Sequence, residues 1–143
     1  MYDTLLLATD GSSDADAALD HAIEVATSTG ATLHVVSVIE TRTAYDNAII
    51  DPATVRENLA ADAEAAVETA RSVATDAGAE FPPTVLEGPP PEQILERAGK
   101  TGADAVIVGA TGRSGFKRLV LGGTAEKLLE ASSIPVIVIS DSD

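Results

Sequence analysis

Thr4-Leu5-Leu6-Leu7-Ala8-Thr9-Asp10-Gly11-Ser12-Ser13 runs from an unbroken apolar stretch into a turn and then into a helix signal. No polar residue alternates within the run, so a strand over Thr4–Thr9 has both faces buried, as in a parallel sheet covered by helices. Asp10-Gly11 closes the strand with a turn. Ser13, with Asp16 three residues later, reads as a capping box. Ala15, Leu19, Ala22, Ile23 and Ala26 then recur at helical spacing until Gly30 ends the run.

The same alternation continues outward. Thr32–Ile39 is apolar and rich in β-branched residues, a second strand, followed by a polar stretch from about Glu40 to Asp51. Asp51-Pro52 opens a second helix, with aspartate as N-cap and proline in the first turn. Its stripe is Val55, Leu59, Ala63, Ala66, Ala70, Val73 and Ala77, up to Gly78, about 26 residues and about 39 Å long. Such a heptad also suits a coiled coil, but the stripe is mostly alanine and strands flank it, which favours a crossover helix packed on a sheet. Thr84–Glu87 is a short third strand, and Pro91–Lys100 a helix with Ile94, Leu95 and Ala98 inward. Ala103–Val108 is a fourth strand, Gly122–Ala131 the last helix and Pro135–Ile139 the last strand. Pro89-Pro90-Pro91 fits a structured strand-to-helix turn as well as a linker. Strands alternating with helices call for an α/β fold, doubly wound, with a parallel sheet between helices and right-handed crossovers.

At 143 residues the chain is sized for one domain, residues 1–143, with no internal repeat. The apolar runs are far shorter than the roughly 20 residues that span a bilayer. The start, Met1-Tyr2-Asp3-Thr4, has no basic segment, and Leu5–Ala8 is too short for a secretory core, so the expected location is the cytoplasm. There is no cysteine, which excludes disulfides, thiolate metal sites and cysteine nucleophiles. Acidic residues number 23 against 9 basic ones, a net charge of −14, which argues against nucleic-acid binding. An acidic, lysine-poor surface also suits a cytosol of high salt, so a halophilic source is expected.

In doubly wound sheets ligands bind beyond the carboxyl ends of the strands, where strand order reverses. Ala8-Thr9-Asp10-Gly11 ends there, and so does a segment beginning at Gly109. That segment reads Gly109-Ala110-Thr111-Gly112-Arg113-Ser114-Gly115-Phe116-Lys117-Arg118-Leu119-Val120-Leu121-Gly122-Gly123-Thr124. Gly109 and Gly112 let backbone approach a bulky anion, though they are also plain turn glycines. Gly122, Gly123 and Thr124 begin a helix, whose N–H groups and dipole attract anions. From Ala105 to Ala125 there is no acidic residue, while Arg113, Lys117 and Arg118 are basic. A phosphate group suits this window. Asp10 reads either as a ligand contact or as a turn residue bonded to its own backbone. Lys117 and Arg118 read equally as a solvated face, and Ser114 as a turn hydroxyl with no base tied to it. His21 and His34 read as surface or packing residues, and no metal site is legible.

The spacing Gly109, Gly112, Gly122 is similar to the nucleotide signature of ATP-binding universal stress proteins. Leu7-Ala8-Thr9-Asp10-Gly11-Ser12, Ala103-Asp104-Ala105-Val106-Ile107-Val108-Gly109 and Pro135-Val136-Ile137-Val138-Ile139 resemble that family's first, fourth and last strands. The resemblance covers essentially the whole chain. It implies five parallel strands in the order 3-2-1-4-5 and an ATP site, with Mg left open. Ala8, Thr9 and Asp10 then lie by the ribose end, Val38 offers its backbone to the adenine, and Gly109, Gly112, Arg113, Gly122, Gly123 and Thr124 surround the phosphates. It also implies a homodimer through the last strand. One departure stands out: the family's usual serine or threonine directly after the third glycine is replaced here by Gly123, and the hydroxyl falls on Thr124.

Three functions compete on these residues. The first is a dimeric stress-response module that binds ATP and passes its occupancy to a protein partner. The second is a slow ATPase or a nucleotidyl transferase, for which no general base or nucleophile pair is visible. The third is a nucleotide-free interaction module.

Overall fold

A computed structural model of the chain describes residues 2–39, 52–76, 83–110 and 122–140. The described elements are β1 (Thr4–Ala8), α1 (Ser13–Thr29), β2 (Thr32–Ile39), α2 (Pro52–Asp76), β3 (Pro83–Glu87), α3 (Pro90–Thr101), β4 (Ala105–Gly109), α4 (Gly123–Ala131) and β5 (Val136–Ile139). All strand pairs are parallel, in the order β3-β2-β1-β4-β5. The expected fold class and strand order are therefore those observed.

The uninterrupted apolar runs find the burial that they demand. Leu5, Leu6 and Leu7 of β1 are wholly buried, each contributing about 1.5–3 kcal/mol by area. Alternation divides them between two cores. Leu5 and Leu7 join Leu33, Val35, Ala105 and Ile107 beneath α1, with Ala70 of α2. Leu6 joins Val36, Val106 and Val108 beneath α3 and α4, through Ile94, Ala98, Ala125 and Leu128. Helices thus cover both faces. Among the described residues no helix is long and apolar enough to cross a membrane.

Boundaries move by a residue or two, for local reasons. β1 ends at Ala8 rather than Thr9, although the Thr9 N–H still donates to the Val36 carbonyl at 2.9 Å. The N-cap of α1 is Ser12 and not Ser13. Its hydroxyl accepts from the Ala15 N–H at 3.2 Å, because Gly11, at φ 79°, turns the chain so that Ser12 is the extended residue before the helix. β4 begins at Ala105 rather than Ala103. The Ala103 N–H donates to the Ala98 carbonyl, completing the end of α3, and the Asp104 N–H donates to the Thr4 carbonyl. The Asp104 carboxylate accepts from the Asp3 and Thr4 N–H groups at 2.8 and 3.0 Å, and these bonds hold its pKa below the ordinary value. Pro89 is the N-cap of α3, with Pro90 and Pro91 opening the helix, so the triple proline is a strand-to-helix turn. The Asp51 cap and the polar stretch before it lie outside the described residues.

Candidate functional site

β1 and β4 are neighbours, with Ala8 opposite Val108, and the chain leaves them towards opposite sides of the sheet. Their carboxyl ends therefore flank the crevice where a doubly wound sheet accepts a ligand. Three expected site elements converge on that end: the Thr9–Ser12 turn, the last residues of β2, and the two flanks of the glycine segment.

The Thr9–Ser12 turn satisfies its own backbone. The Thr9 hydroxyl accepts from the Gly11 N–H at 3.2 Å, and Asp10 Oδ1 accepts from the Ser12 N–H at 2.9 Å. Thr9 is buried, whereas Asp10 is half-buried at the strand end. Asp10 is thus a turn residue as well as a candidate ligand contact.

β2 runs past β1. The carbonyl of Val36 faces β1, since it accepts from Thr9. Backbone groups change sides at every residue of a strand, so Val38, two residues on, aims its N–H and C=O the same way, beyond the last residue of β1. A donor and an acceptor side by side can read the edge of a planar base.

The flanks of the glycine segment meet. The Gly122 N–H donates to the Ala110 carbonyl at 2.7 Å, and Ala110 is held in turn by its N–H to the Ile139 carbonyl at 2.8 Å. The start of α4 is thereby tied to the end of β4. Gly122 is the N-cap, with φ −64° and ψ 159°, and contributes no side-chain cap. The N–H groups of Gly123, Thr124 and Ala125 form the first turn and so have no acceptor within the helix. A Cβ placed on Gly123 would meet nothing within 4 Å. The first turn of α4 thus offers aligned donors with open space beside them, the arrangement that favours an anion. Gly112 and Arg113 lie outside the described residues, as do Ser114, Lys117 and Arg118.

At Gly109 the structure gives a reason that the sequence did not. A Cβ there would lie 2.8 Å from both the Ala15 nitrogen and the Asp14 carbonyl carbon. The close approach that glycine permits is made by the first turn of α1. The same packing buries Asp14, which is 4% exposed and was not among the expected site residues. Its neighbour Ser12 was missed as the cap because Ser13 offers the same hydroxyl one position later. His21 is exposed and His34 half-buried, both away from this end. Among the described residues no cluster of histidine and carboxylate side chains could hold a metal.

Comparison with known proteins agrees with this architecture. Residues 1–140 match the model of the universal stress protein family. Universal stress protein MJ0531 of Methanocaldococcus jannaschii is 29% identical over 144 aligned positions, covering 97% of this chain and 82% of that protein. The solved structure of hypothetical protein MJ0577 superposes with a TM-score of 0.85 at 26% identity, covering 100% of this chain and 99% of that one. A universal stress protein solved in complex with cAMP has a TM-score of 0.70 at 25% identity, covering 99% and 98%. With the family model spanning nearly the whole chain and the fold reproduced in its relatives, this protein belongs to the universal stress protein family.

Proposed function

We propose that the chain binds ATP across the carboxyl ends of β1 and β4 and acts as a nucleotide-dependent dimeric module in a stress response. The observation that carries this reading is the bond from Gly122 to Ala110, which brings the uncapped first turn of α4 against the switch point of the sheet. A triphosphate adds several negative charges to a chain of net charge −14, so it needs a place where that field is reversed. The acid-free segment supplies one. Gly123 and Thr124 offer N–H groups to the phosphates, Arg113 offsets their charge, and Gly112 and Gly122 keep side chains out of the way. Gly109 borders the phosphate end of β4, while its Cβ-free side faces α1. Val38 presents its backbone to the adenine, while Ala8, Thr9 and Asp10 border the ribose. The relative solved with cAMP supports an adenine nucleotide. Mg remains an optional companion of the phosphates.

In this reading β5 pairs with its own copy. It is an edge strand of four β-branched residues, half-buried and bare of charge, which is the kind of edge that recruits a partner. The setting is the cytoplasm of a salt-rich cell, supported by the acidic composition.

Calorimetry on Gly112→Val tests the site. A branched side chain obstructs the phosphates, so ATP affinity should fall at least tenfold while the thermal midpoint stays near that of the parent. Equal affinity in the two proteins would put the phosphates elsewhere. Light scattering on the same samples tests the dimer, and a monomer at every concentration would remove that part.

A further inference from the structure

Under α3, away from the nucleotide end, His34 of β2 and Thr84 of β3 lie on the face that Arg97 of α3 reaches, a polar cluster that ATP binding does not use. His34 lies opposite Leu6 and Thr84 opposite Val36, so both occupy the face covered by α3. Arg97 of α3 reaches the same place, and its Nη2 donates to the Thr84 hydroxyl at 3.3 Å. Two buried nitrogens are left without a hydrogen-bond partner, Nε of Arg97 and Nδ1 of His34. Buried polar atoms are nearly always paired, so two on adjacent side chains call for an explanation. Although the chain carries 23 acids, among the described residues none forms an ion pair with Arg97. Its neighbour Glu96 pairs with Lys100 at 3.1 Å on the solvent side.

We propose that His34 and Arg97 form an acid-sensitive latch between β2 and α3, closed while the imidazole is neutral and forced open when it takes up a proton. With its proton on Nε2, neutral His34 presents a bare lone pair at Nδ1. The Arg97 Nε–H is a matching donor, and one water between the two would satisfy both. Protonation replaces the lone pair with a second N–H. Two cations then meet at Nδ1 and Nε, the atoms shielded from water, with two donors and no acceptor between them. The groups facing His34 offer no relief. Leu6 of β1 is apolar, Thr84 of β3 is neutral, and α4 contributes Ala125 and Leu128 to this core. Among the described residues Arg97 is the charge that acts on it.

The direction of the pH effect follows. Burial first, and Arg97 second, hold the His34 pKa below its ordinary value of 6.5. The closed form therefore binds fewer protons than the open form. The latch is fully engaged above the ordinary value and weakens as pH falls from there towards the lowered one.

NMR and amide exchange on the intact protein test the latch. His21→Gln makes His34 the sole imidazole, so its titration midpoint can be read directly. Between about pH 8 and about pH 5.5, the protection of amides Ile94 to Thr101, corrected for chemical exchange, should fall. The limit is about tenfold for each unit by which the midpoint lies below 6.5. His34→Gln, which cannot titrate, should show no such fall. Arg97→Gln should raise the His34 midpoint and flatten the dependence. Protection that is flat in the parent, or that falls equally in His34→Gln, overturns the latch.

Discussion

Two helices begin at the same end of the sheet, and they begin differently. The first turn of α1 is closed. Ser12 caps it, Asp10 bonds the cap's own N–H, Asp14 is buried, and Gly109 of β4 lies against its backbone. The first turn of α4 is open, with a glycine cap that has no side chain to offer and empty space at the next residue. Both ends carry the same orphan N–H groups and the same dipole. At α1 the Ser12 side chain takes one of these donors, the Ala15 N–H, and at α4 no side chain takes any, so shared charge and spacing do not make the two ends alike. α3 also lacks a side-chain cap, at Pro89, but prolines fill its first turn, whereas α4 opens on Gly122 and Gly123 with space beside them.

The largest expected effect comes from forcing the closed end apart. Gly109→Val places a side chain against the backbone at Asp14 and Ala15, which cannot yield as a flexible side chain would. Overpacking of this kind costs about 1–3 kcal/mol or more. Chemical denaturation should register that loss without any nucleotide present. Gly112→Val is expected to do the opposite, sparing stability and removing ATP affinity. If Gly109→Val proved as stable as the parent, α1 and β4 would not be in the tight contact described.

A smaller effect is expected from uncapping α1. Ser12→Ala removes the acceptor for the Ala15 N–H, and loss of such a cap costs about 1 kcal/mol. The midpoint of urea unfolding should fall with an unchanged slope. No change at all would mean that Ser13 can take over as the cap, the role its spacing to Asp16 first suggested.

That near-substitution shows where sequence is and is not informative. The strands of this fold were legible because Leu5, Leu6 and Leu7 are apolar on both sides of the pleat, a pattern that a covered parallel sheet satisfies, and because helical stripes separate such runs. The helices were legible from their stripes. The start of α4 was legible in part: Gly122, Gly123 and Thr124 mark where the helix begins, but Thr124 also read as its cap, and only the structure shows Gly122 in that place with no side-chain bond. Choosing Ser12 over Ser13 required the φ of Gly11, which depends on how the turn packs. The role of Gly109 depends on a helix almost a hundred residues earlier, and no local pattern reports that contact. His34 and Arg97 are likewise joined only by the sheet-and-helix arrangement.

The smallest expected change in stability, and the sharpest test of the contrast, comes from closing the open end. Gly122→Asp puts a capping carboxylate where α4 has none. The backbone there, at φ −64° and ψ 159°, is extended and open to any residue. The carboxylate can accept from the first-turn N–H groups and complement the dipole. The gain over glycine is only about 0.3 kcal/mol, since glycine is itself a tolerable cap. Binding should respond far more strongly. The same N–H groups would already be occupied, and the new charge would repel the phosphates, so ATP affinity should fall at least tenfold while the unfolding midpoint holds or rises slightly. Opposite signs for stability and binding at one residue are hard to obtain unless the ligand and the cap compete for the same donors. Unchanged ATP affinity in Gly122→Asp would mean that the first turn of α4 does not hold the phosphates, and the contrast between the two helix ends would lose its functional meaning.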